Sequence, residues 1–184
     1  MYIDDFKEAL ERTKRLNIET TNIVYNSKKY AIDEIINRTP YYLRDEYGDF
    51  DIEDLAGQCL NMNMKLKNFI SKVLDTEMYY TIGYTQEGKN YYFQQTEESL
   101  LDMINIEQDT SKVNLHAWLT LPSMEIIDTT FLTTYSFVHG YNEGLGAIIF
   151  DDADKIQHMK FIPMLVGDDF IFKARLVQGI SFHF

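Results

Sequence analysis

The sequence predicts an α+β protein, with helices concentrated in its first half and strands in its second. Apolar residues recur at helical spacing over residues 3–13 and again over residues 59–74. After residue 77, short apolar and aromatic runs alternate with turn signals, which is typical of antiparallel strands. No repeat or linker interrupts the 184 residues. We therefore expect one domain over 1–184, with a helical part over 1–50 and the core over 51–184.

The helices are predicted from apolar spacing and from their start and stop signals. The first carries Ile3, Phe6 and Leu10 on one face, and a second is expected over 27–37 because proline at position 40 cannot continue a helix. Residues 41–50 then read as an irregular connection and 51–55 as a short turn. Two further helices are expected, one over 59–74 and one over 97–104 with Thr96 as its cap.

The strands are predicted from β-prone runs and the turns between them. A hairpin is expected from 77–86 and 90–95, and a second hairpin turns near 121–123. Further strand candidates are 146–150, 160–166, 170–176 and 179–184, with a hairpin turn at 168–169. The expected sheet is mostly antiparallel.

Composition and charge exclude several classes of function. A formal net charge of −12 disfavours binding to nucleic acid or to an anionic membrane, because both would repel the chain. One cysteine excludes an internal disulfide framework and a Cys-rich zinc site. His139, His158 and His183 have no metal-ligand spacing with one another, so we expect no metal and no cofactor. With no signal peptide or membrane-spanning segment recognisable, a cytoplasmic location is expected, and export without a signal stays an alternative.

Three residues form a candidate catalytic site. Cys59 opens the helix over 59–74, while His116 and Asp128 lie on the two strands of the second hairpin. A helix N-terminus and a nearby imidazolium both favour the thiolate form of a cysteine, and a carboxylate orients the imidazole. This is the layout that nucleophilic acyl chemistry requires.

The second hairpin must have a particular register for this site to form. His116 and Asp128 share a face of the sheet only if the numbers of paired residues sum to an even number. A two-residue loop at Pro122 and Ser123 would give the opposite register. We therefore predict an odd-length loop or a bulge over 121–124.

The same residues carry a resemblance to the transglutaminase-like superfamily. Gly57-Gln58-Cys59 resembles the Gly-Gln-Cys-Trp signature around the nucleophile of transglutaminases. Asn114-Leu115-His116-Ala117-Trp118 resembles their Asn-Phe-His-Val-Trp strand, and Glu125 to Thr130 resembles the following strand, which ends in an aspartate. Leu60 replaces the tryptophan of the signature, and no proline follows the aspartate here. The chain is also too short for the extra β-domains of animal transglutaminases, so calcium regulation is not implied.

The resemblance implies a papain-like core with a Cys-His-Asp triad. It assigns Cys59 as nucleophile, His116 as general base and acid, and Asp128 as the orienting carboxylate. The backbone N–H of Cys59 is the natural first donor of an oxyanion hole, and Gln58 and Asn114 are both candidates for the second. Trp118 is expected either to shield the His–Asp pair and wall the substrate groove, or to be a core aromatic.

The sequence thus predicts a cysteine enzyme that attacks an amide or peptide carbonyl through a thioester. Hydrolysis, by a peptidase or a deamidase, is favoured over cross-linking because nothing identifies an amine site. The partner would be a peptide or protein, and the acidic charge suits a basic one. The alternatives are a catalytically lapsed module that binds peptide or protein, and an acyltransferase similar to the arylamine acetyltransferases.

Overall fold

The predicted α+β class is confirmed. A computed structural model describes residues 1–106 and 113–176, and within them the chain forms seven helices and six strands. The helices are α1 (Tyr2–Arg15), α2 (Asp33–Tyr47), α3 (Ile52–Leu55), α4 (Cys59–Leu74), α5 (Glu97–Asn105), α6 (Phe131–His139) and α7 (Asp169–Lys173). The strands are β1 (Tyr79–Glu87), β2 (Asn90–Tyr92), β3 (His116–Thr120), β4 (Glu125–Asp128), β5 (Ile149–Asp152) and β6 (Lys160–Val166).

The strands form one curled antiparallel sheet organised around β1. One edge of β1 pairs with β6, and the other pairs with β3 along residues 79–83 and with β2 along residues 85–87. Beyond β3 the sheet continues through β4 to β5. The two strands that carry His116 and Asp128 are therefore neighbours, as the sequence predicts.

Side-chain alternation gives the sheet two apolar faces, each covered by a different helix. Trp118 and Ile126 face α1, whose buried residues include Tyr2 and Phe6. The intervening residues, such as Leu119 and Ile127, face α4 and the remaining helices. Both faces are buried, which fixes the strand register, because a shift by one residue would exchange the two sets of side chains.

Helix α2 differs from the prediction at both ends. It starts at Asp33 rather than Ser27, because the backbone N–H groups of Tyr30 and Ala31 donate to the buried Glu125 carboxylate, at 2.9 and 3.1 Å. It also continues through Pro40 to Tyr47, so the irregular connection predicted over 41–50 is wrong. Thr39 and Leu43 are buried along the continued helix, and this packing outweighs the backbone hydrogen bond that proline removes.

Three further predictions in the second half are wrong or shifted. Residues 170–176 begin in helix α7 rather than a strand, and the pair at 168–169 starts that helix instead of turning a hairpin. The strand predicted over 146–150 occupies Ile149–Asp152. Helix α6 is absent from the sequence prediction, because its aromatic and β-branched residues show no apolar stripe at helical spacing. The strand predicted over 179–184 lies outside the described residues.

Candidate active site

Cys59 is the first residue of α4 and lies beside the start of strand β3. Gly57, with φ of 72°, makes the turn into the helix, and its N–H donates to Thr134 Oγ1 at 3.0 Å. The Cys59 thiol donates to the Leu115 carbonyl oxygen at 3.4 Å, and the residue is 6% exposed. The backbone N–H groups at this end of α4 have no helical acceptor. The thiol is thus held beside the first residue of β3, at the positive end of a helix dipole.

His116 and Asp128 form a buried ion pair next to this thiol. His116 Nε2–H donates to Asp128 Oδ2 at 2.5 Å, and the two side chains are 2% and 0% exposed. Cys59 lies close enough to raise the pKa of His116. Since Nε2 is engaged with the carboxylate, Nδ1 is the nitrogen left for the sulfur. The order Cys59–His116–Asp128 is that of a catalytic triad.

Four hydrogen bonds fix the Asp128 carboxylate. Besides His116 on Oδ2, its Oδ1 accepts from the backbone N–H groups of Thr130 and Phe131, at 2.9 and 3.0 Å, and from the Thr130 hydroxyl at 3.1 Å. Phe131 is the first residue of α6, so this helix presents its unpaired N–H groups to the carboxylate. Helix α6 therefore holds Asp128 ionised and pointed at His116.

The pair keeps both of its charges at neutral pH. Burial lowers the pKa of His116, but the charge and hydrogen bond of Asp128, together with Cys59, outweigh it and raise that pKa from 6.5 to about 10. Burial raises the pKa of Asp128, and the imidazolium and the two backbone N–H groups more than offset this, so its pKa lies below the usual value. An imidazolium is therefore available to a thiolate at Cys59.

Aromatic rings enclose the imidazole. Phe93 stacks on it with ring centroids 5.1 Å apart, and Phe131 packs against it edge-on at 5.3 Å. Trp118 and Phe161 lie at 5.8 and 6.4 Å. Phe93 holds a φ of 68°, in the left-handed region that is unfavourable for a bulky side chain. Strain of this kind concentrates at functional sites, and here it places a ring over the histidine.

Asn63 joins helix α4 to strand β3. Its side chain is fully buried one turn after Cys59, and Nδ2 donates both to the Cys59 carbonyl at 2.9 Å and to the Ala117 carbonyl at 2.8 Å. These two bonds fix the start of α4 against β3. Sequence reasoning missed Asn63, although its spacing of four residues from Cys59 places both on one face of a helix.

The register that the candidate site requires is present. Leu119 pairs with Ile127 and Thr120 with Ile126, and both pairs have even sums. Towards the turn, the next pair is Leu121 with Glu125, whose carbonyl accepts the Leu121 N–H at 2.9 Å. The loop between them therefore has three residues, 122–124, and Met124 in it has a φ of 67°. The predicted odd-length loop is therefore confirmed, and it brings His116 and Asp128 to one face.

The three remaining candidates occupy different environments. Gln58 is the exposed residue just before Cys59, and its Oε1 accepts from Asn61 Nδ2 at 3.2 Å, which leaves its own N–H groups to donate elsewhere. Asn114 is exposed and precedes β3, so strand alternation does not place it beside His116. Trp118 is completely buried and its indole N–H donates to the Tyr2 hydroxyl at 2.7 Å. It is a core residue behind His116 and cannot wall a substrate groove.

The described residues hold neither a candidate metal site nor a membrane-spanning helix. Within residues 1–106 and 113–176, no three or more His, Cys, Asp or Glu side chains cluster in a way that could hold a metal ion. Nor does any helix in these two segments combine the length and the apolar character needed to cross a membrane.

Comparisons of the chain with models of known protein families, with curated protein sequences and with solved structures give no match. What the site does must therefore be argued from its own geometry.

Proposed function

We propose that this protein is a cysteine-dependent acyl-transfer enzyme with a transglutaminase-like fold, acting on an amide or peptide carbonyl through a thioester. One observation carries this: a buried His116–Asp128 ion pair lies next to the single cysteine of the chain, which is the first residue of a helix. A charged pair is costly to bury, and perturbed ionisable groups concentrate at functional sites.

The reaction follows from the charges of the triad. The Cys59 thiolate attacks the carbonyl carbon, and the negative charge moves to the carbonyl oxygen, which the Cys59 N–H and the Gln58 amide stabilise. His116 then gives its Nδ1 proton to the nitrogen of the leaving amine, the C–N bond breaks, and a thioester forms on Cys59. Water attacks this thioester while His116 accepts its proton, and the acid leaves as the thiolate is restored. Asp128 stays ionised throughout and stabilises the imidazolium.

The order of elements supports the transglutaminase-like assignment of the fold. The nucleophile opens helix α4, and the histidine and the aspartate follow on adjacent antiparallel strands. This is the arrangement that the sequence resemblance implies. Hydrolysis, by a peptidase or deamidase, remains the favoured outcome, with a peptide or protein as substrate.

A second function is favoured by one specific observation. Cys59 is only 6% exposed and its thiol is hydrogen-bonded to a backbone carbonyl. A catalytically lapsed module that binds a peptide near the same site would tolerate such a buried thiol, whereas an enzyme needs the Phe93 side to open for its substrate.

The pH dependence of Cys59 alkylation by iodoacetamide separates the two functions. The enzyme predicts fast alkylation with a half-maximal rate well below pH 8.5, and a shift of the midpoint to higher pH in His116→Ala, because the imidazolium is lost. His158→Asn is the matched control, since His158 is exposed and its φ of 67° is tolerated by asparagine. Slow alkylation with the same pH profile in all three proteins would favour the binding module.

A further inference from the structure

A small pocket adjoins the triad on the side of Phe93. It lies between the end of β2 and helix α6 and has a volume of about 70 Å³. Tyr92 and Phe93 line one side, and Phe131, Thr134, Tyr135 and Val138 line the other. Space of this size accommodates one side chain rather than a helix or a second protein.

Two aromatic residues that line the pocket also contact the triad histidine. The rings of Phe93 and Phe131 both line the pocket and both contact His116, at 5.1 and 5.3 Å. Thr134 lines it as well and accepts the N–H of Gly57, two residues before the nucleophile. A side chain in the pocket would therefore belong to a residue bound at the triad.

Three polar groups of the lining side chains are engaged with other groups. The Tyr92 hydroxyl donates to Glu87 Oε2 at 3.2 Å, and the Thr134 hydroxyl donates to the Thr130 carbonyl at 2.8 Å. His139, also in the lining, donates from Nδ1 to the Tyr135 carbonyl at 2.8 Å. Carbon atoms of the rings and of Val138 are left to face the pocket. Such a surface gains most from an apolar group, since a charged group would be desolvated without a partner.

We propose that this pocket is a specificity subsite that binds one apolar side chain of a peptide substrate, next to the carbonyl that Cys59 attacks. The inference rests on the proposed acyl-transfer function and adds the substrate class to it. It also differs from the expectation of a basic substrate that net charge suggests, because the cavity beside the triad offers aromatic carbon rather than a carboxylate.

Peptidyl chloromethyl ketones test the subsite without knowledge of the natural substrate. The probes carry Gly, Leu, Phe, Lys or Glu next to the reactive ketone, and the rate constant for labelling of Cys59 is measured by mass spectrometry. We expect the Leu and Phe probes to react at least tenfold faster than the Gly probe, with no gain for Lys or Glu. Equal rates for all five, or a preference for Lys, would overturn the proposal.

Two neighbouring residues of α6 provide a variant and its control, which test whether the preference for the Leu probe arises in the pocket. Val138 lines the pocket and is 71% exposed, whereas its neighbour Phe137 is 60% exposed and does not line it. Val138→Lys is expected to lower the labelling rate constant of the Leu probe to that of the Gly probe. The rate of alkylation of Cys59 by iodoacetamide should stay unchanged. Phe137→Lys is expected to change neither. If Val138→Lys keeps the preference for Leu, the pocket is not the subsite.

A binding measurement separates failure of the subsite from failure of the chemistry. In Cys59→Ser, the methyl NMR signals of Val138 are followed while acetyl-leucine amide or acetyl-glycine amide is added. Shifts with the leucine amide alone support the subsite even if Cys59 proves unreactive. Normal, His116-dependent alkylation together with unshifted Val138 signals would leave the proposed function in place and overturn the subsite.

Discussion

Side chains on one face of strand β3 take part in two buried polar clusters, which differ in charge. The ion-pair cluster, Cys59, His116 and Asp128, lies where β3 starts. The neutral cluster, Tyr2, Thr81, Trp118 and Thr120, lies further along the same strand.

In the neutral cluster, each hydroxyl group accepts one hydrogen bond and donates the next. Trp118 donates to Tyr2 at 2.7 Å, Tyr2 to Thr120 at 2.7 Å, and Thr120 to Thr81 at 2.8 Å; Thr81 completes the chain at the Tyr79 carbonyl, at 3.1 Å. Burial raises the pKa of Tyr2, so the phenol stays neutral. A satisfied neutral network stabilises a core without ionisation.

The stability of the fold alone does not explain why the ion-pair cluster is present. Replacing a buried ion pair by apolar residues is often neutral or stabilising, so its presence is weak evidence for a structural role. Its histidine lies next to the thiol of Cys59, whereas the neutral cluster consists of hydroxyl groups and an indole. Substitutions in one cluster, in both and in neither therefore separate the scaffold role of β3 from the reactive role that we propose for its start.

The largest effect is expected for Asp128→Asn. An asparagine amide presents an N–H to His116 Nε2, which favours the neutral imidazole and removes the imidazolium from Cys59. We expect a loss of about 10⁴-fold in acyl-transfer rate and of about 3–5 kcal/mol in the free energy of unfolding. Urea denaturation measures the loss of stability, and slower alkylation of Cys59 by iodoacetamide at neutral pH reports the loss of the imidazolium on which the acyl-transfer rate depends. Asp45→Asn, at an exposed carboxylate on α2, is the control and should change neither.

The pH dependence of stability reports the same pair. Because the pKa of His116 is raised from 6.5 to about 10 in the folded protein, its contribution is complete below pH 6.5 and is lost as the pH rises through about 10. Because the pKa of Asp128 is lowered, its contribution is present above its unfolded value of 3.8 and is lost on acidification below it. The stability of wild type minus that of Asp128→Asn, measured by urea denaturation, should therefore be greatest between about pH 4 and 6.5. A difference that does not vary with pH would contradict the ionised pair.

Gly83→Ala is expected to disturb both clusters through one methyl group. A Cβ at Gly83 would lie 2.2 Å from the Ile162 carbonyl oxygen and 2.5 Å from the Trp118 ring, and Gly83 pairs with His116 in the sheet. Overpacking against backbone costs about 3 kcal/mol at the upper end of its usual range. Thermal unfolding should show this loss, and Gly88→Asn, at an open turn position, should show much less. A Gly83→Ala protein as stable as wild type would mean that β1 and β6 can separate there.

Tyr2→Phe breaks the neutral cluster alone. It removes the acceptor of the Trp118 N–H and the donor to Thr120, and leaving such groups unpaired costs about 1–3 kcal/mol. We expect lower stability in urea with an unchanged pH profile of Cys59 alkylation. Tyr25→Phe, at a 41% exposed tyrosine, is the control. A shifted alkylation profile in Tyr2→Phe would show that the two clusters are coupled.

Sequence patterns predicted what depends on local periodicity. Helices α1 and α4, the β1–β2 hairpin and strand β6 follow from apolar spacing, and the register of β3 and β4 follows from the need to bring His116 and Asp128 to one face. These features are determined by residues close to one another in the chain.

The features that sequence reasoning missed depend on distant partners. Helix α2 starts late because Glu125, about 95 positions away, accepts the N–H groups of Tyr30 and Ala31. Phe93 reaches His116 only through a positive φ that no turn residue signals. Helix α6 is amphipathic only weakly, and it is positioned by the Asp128 carboxylate at its start. Periodicity cannot reveal contacts of this kind.

The smallest effect is expected for Thr96→Ala, which lowers stability outside both clusters. Thr96 caps α5 through a reciprocal pair of hydrogen bonds with Ser99, of 3.1 and 3.0 Å. Removing such a cap costs about 1 kcal/mol. Urea denaturation should show this loss, while the alkylation rate of Cys59 and its pH profile stay those of wild type. A changed profile would mean that a general loss of stability reaches the thiol, and the effect of Asp128→Asn on reactivity would then no longer identify a dedicated Cys–His–Asp site.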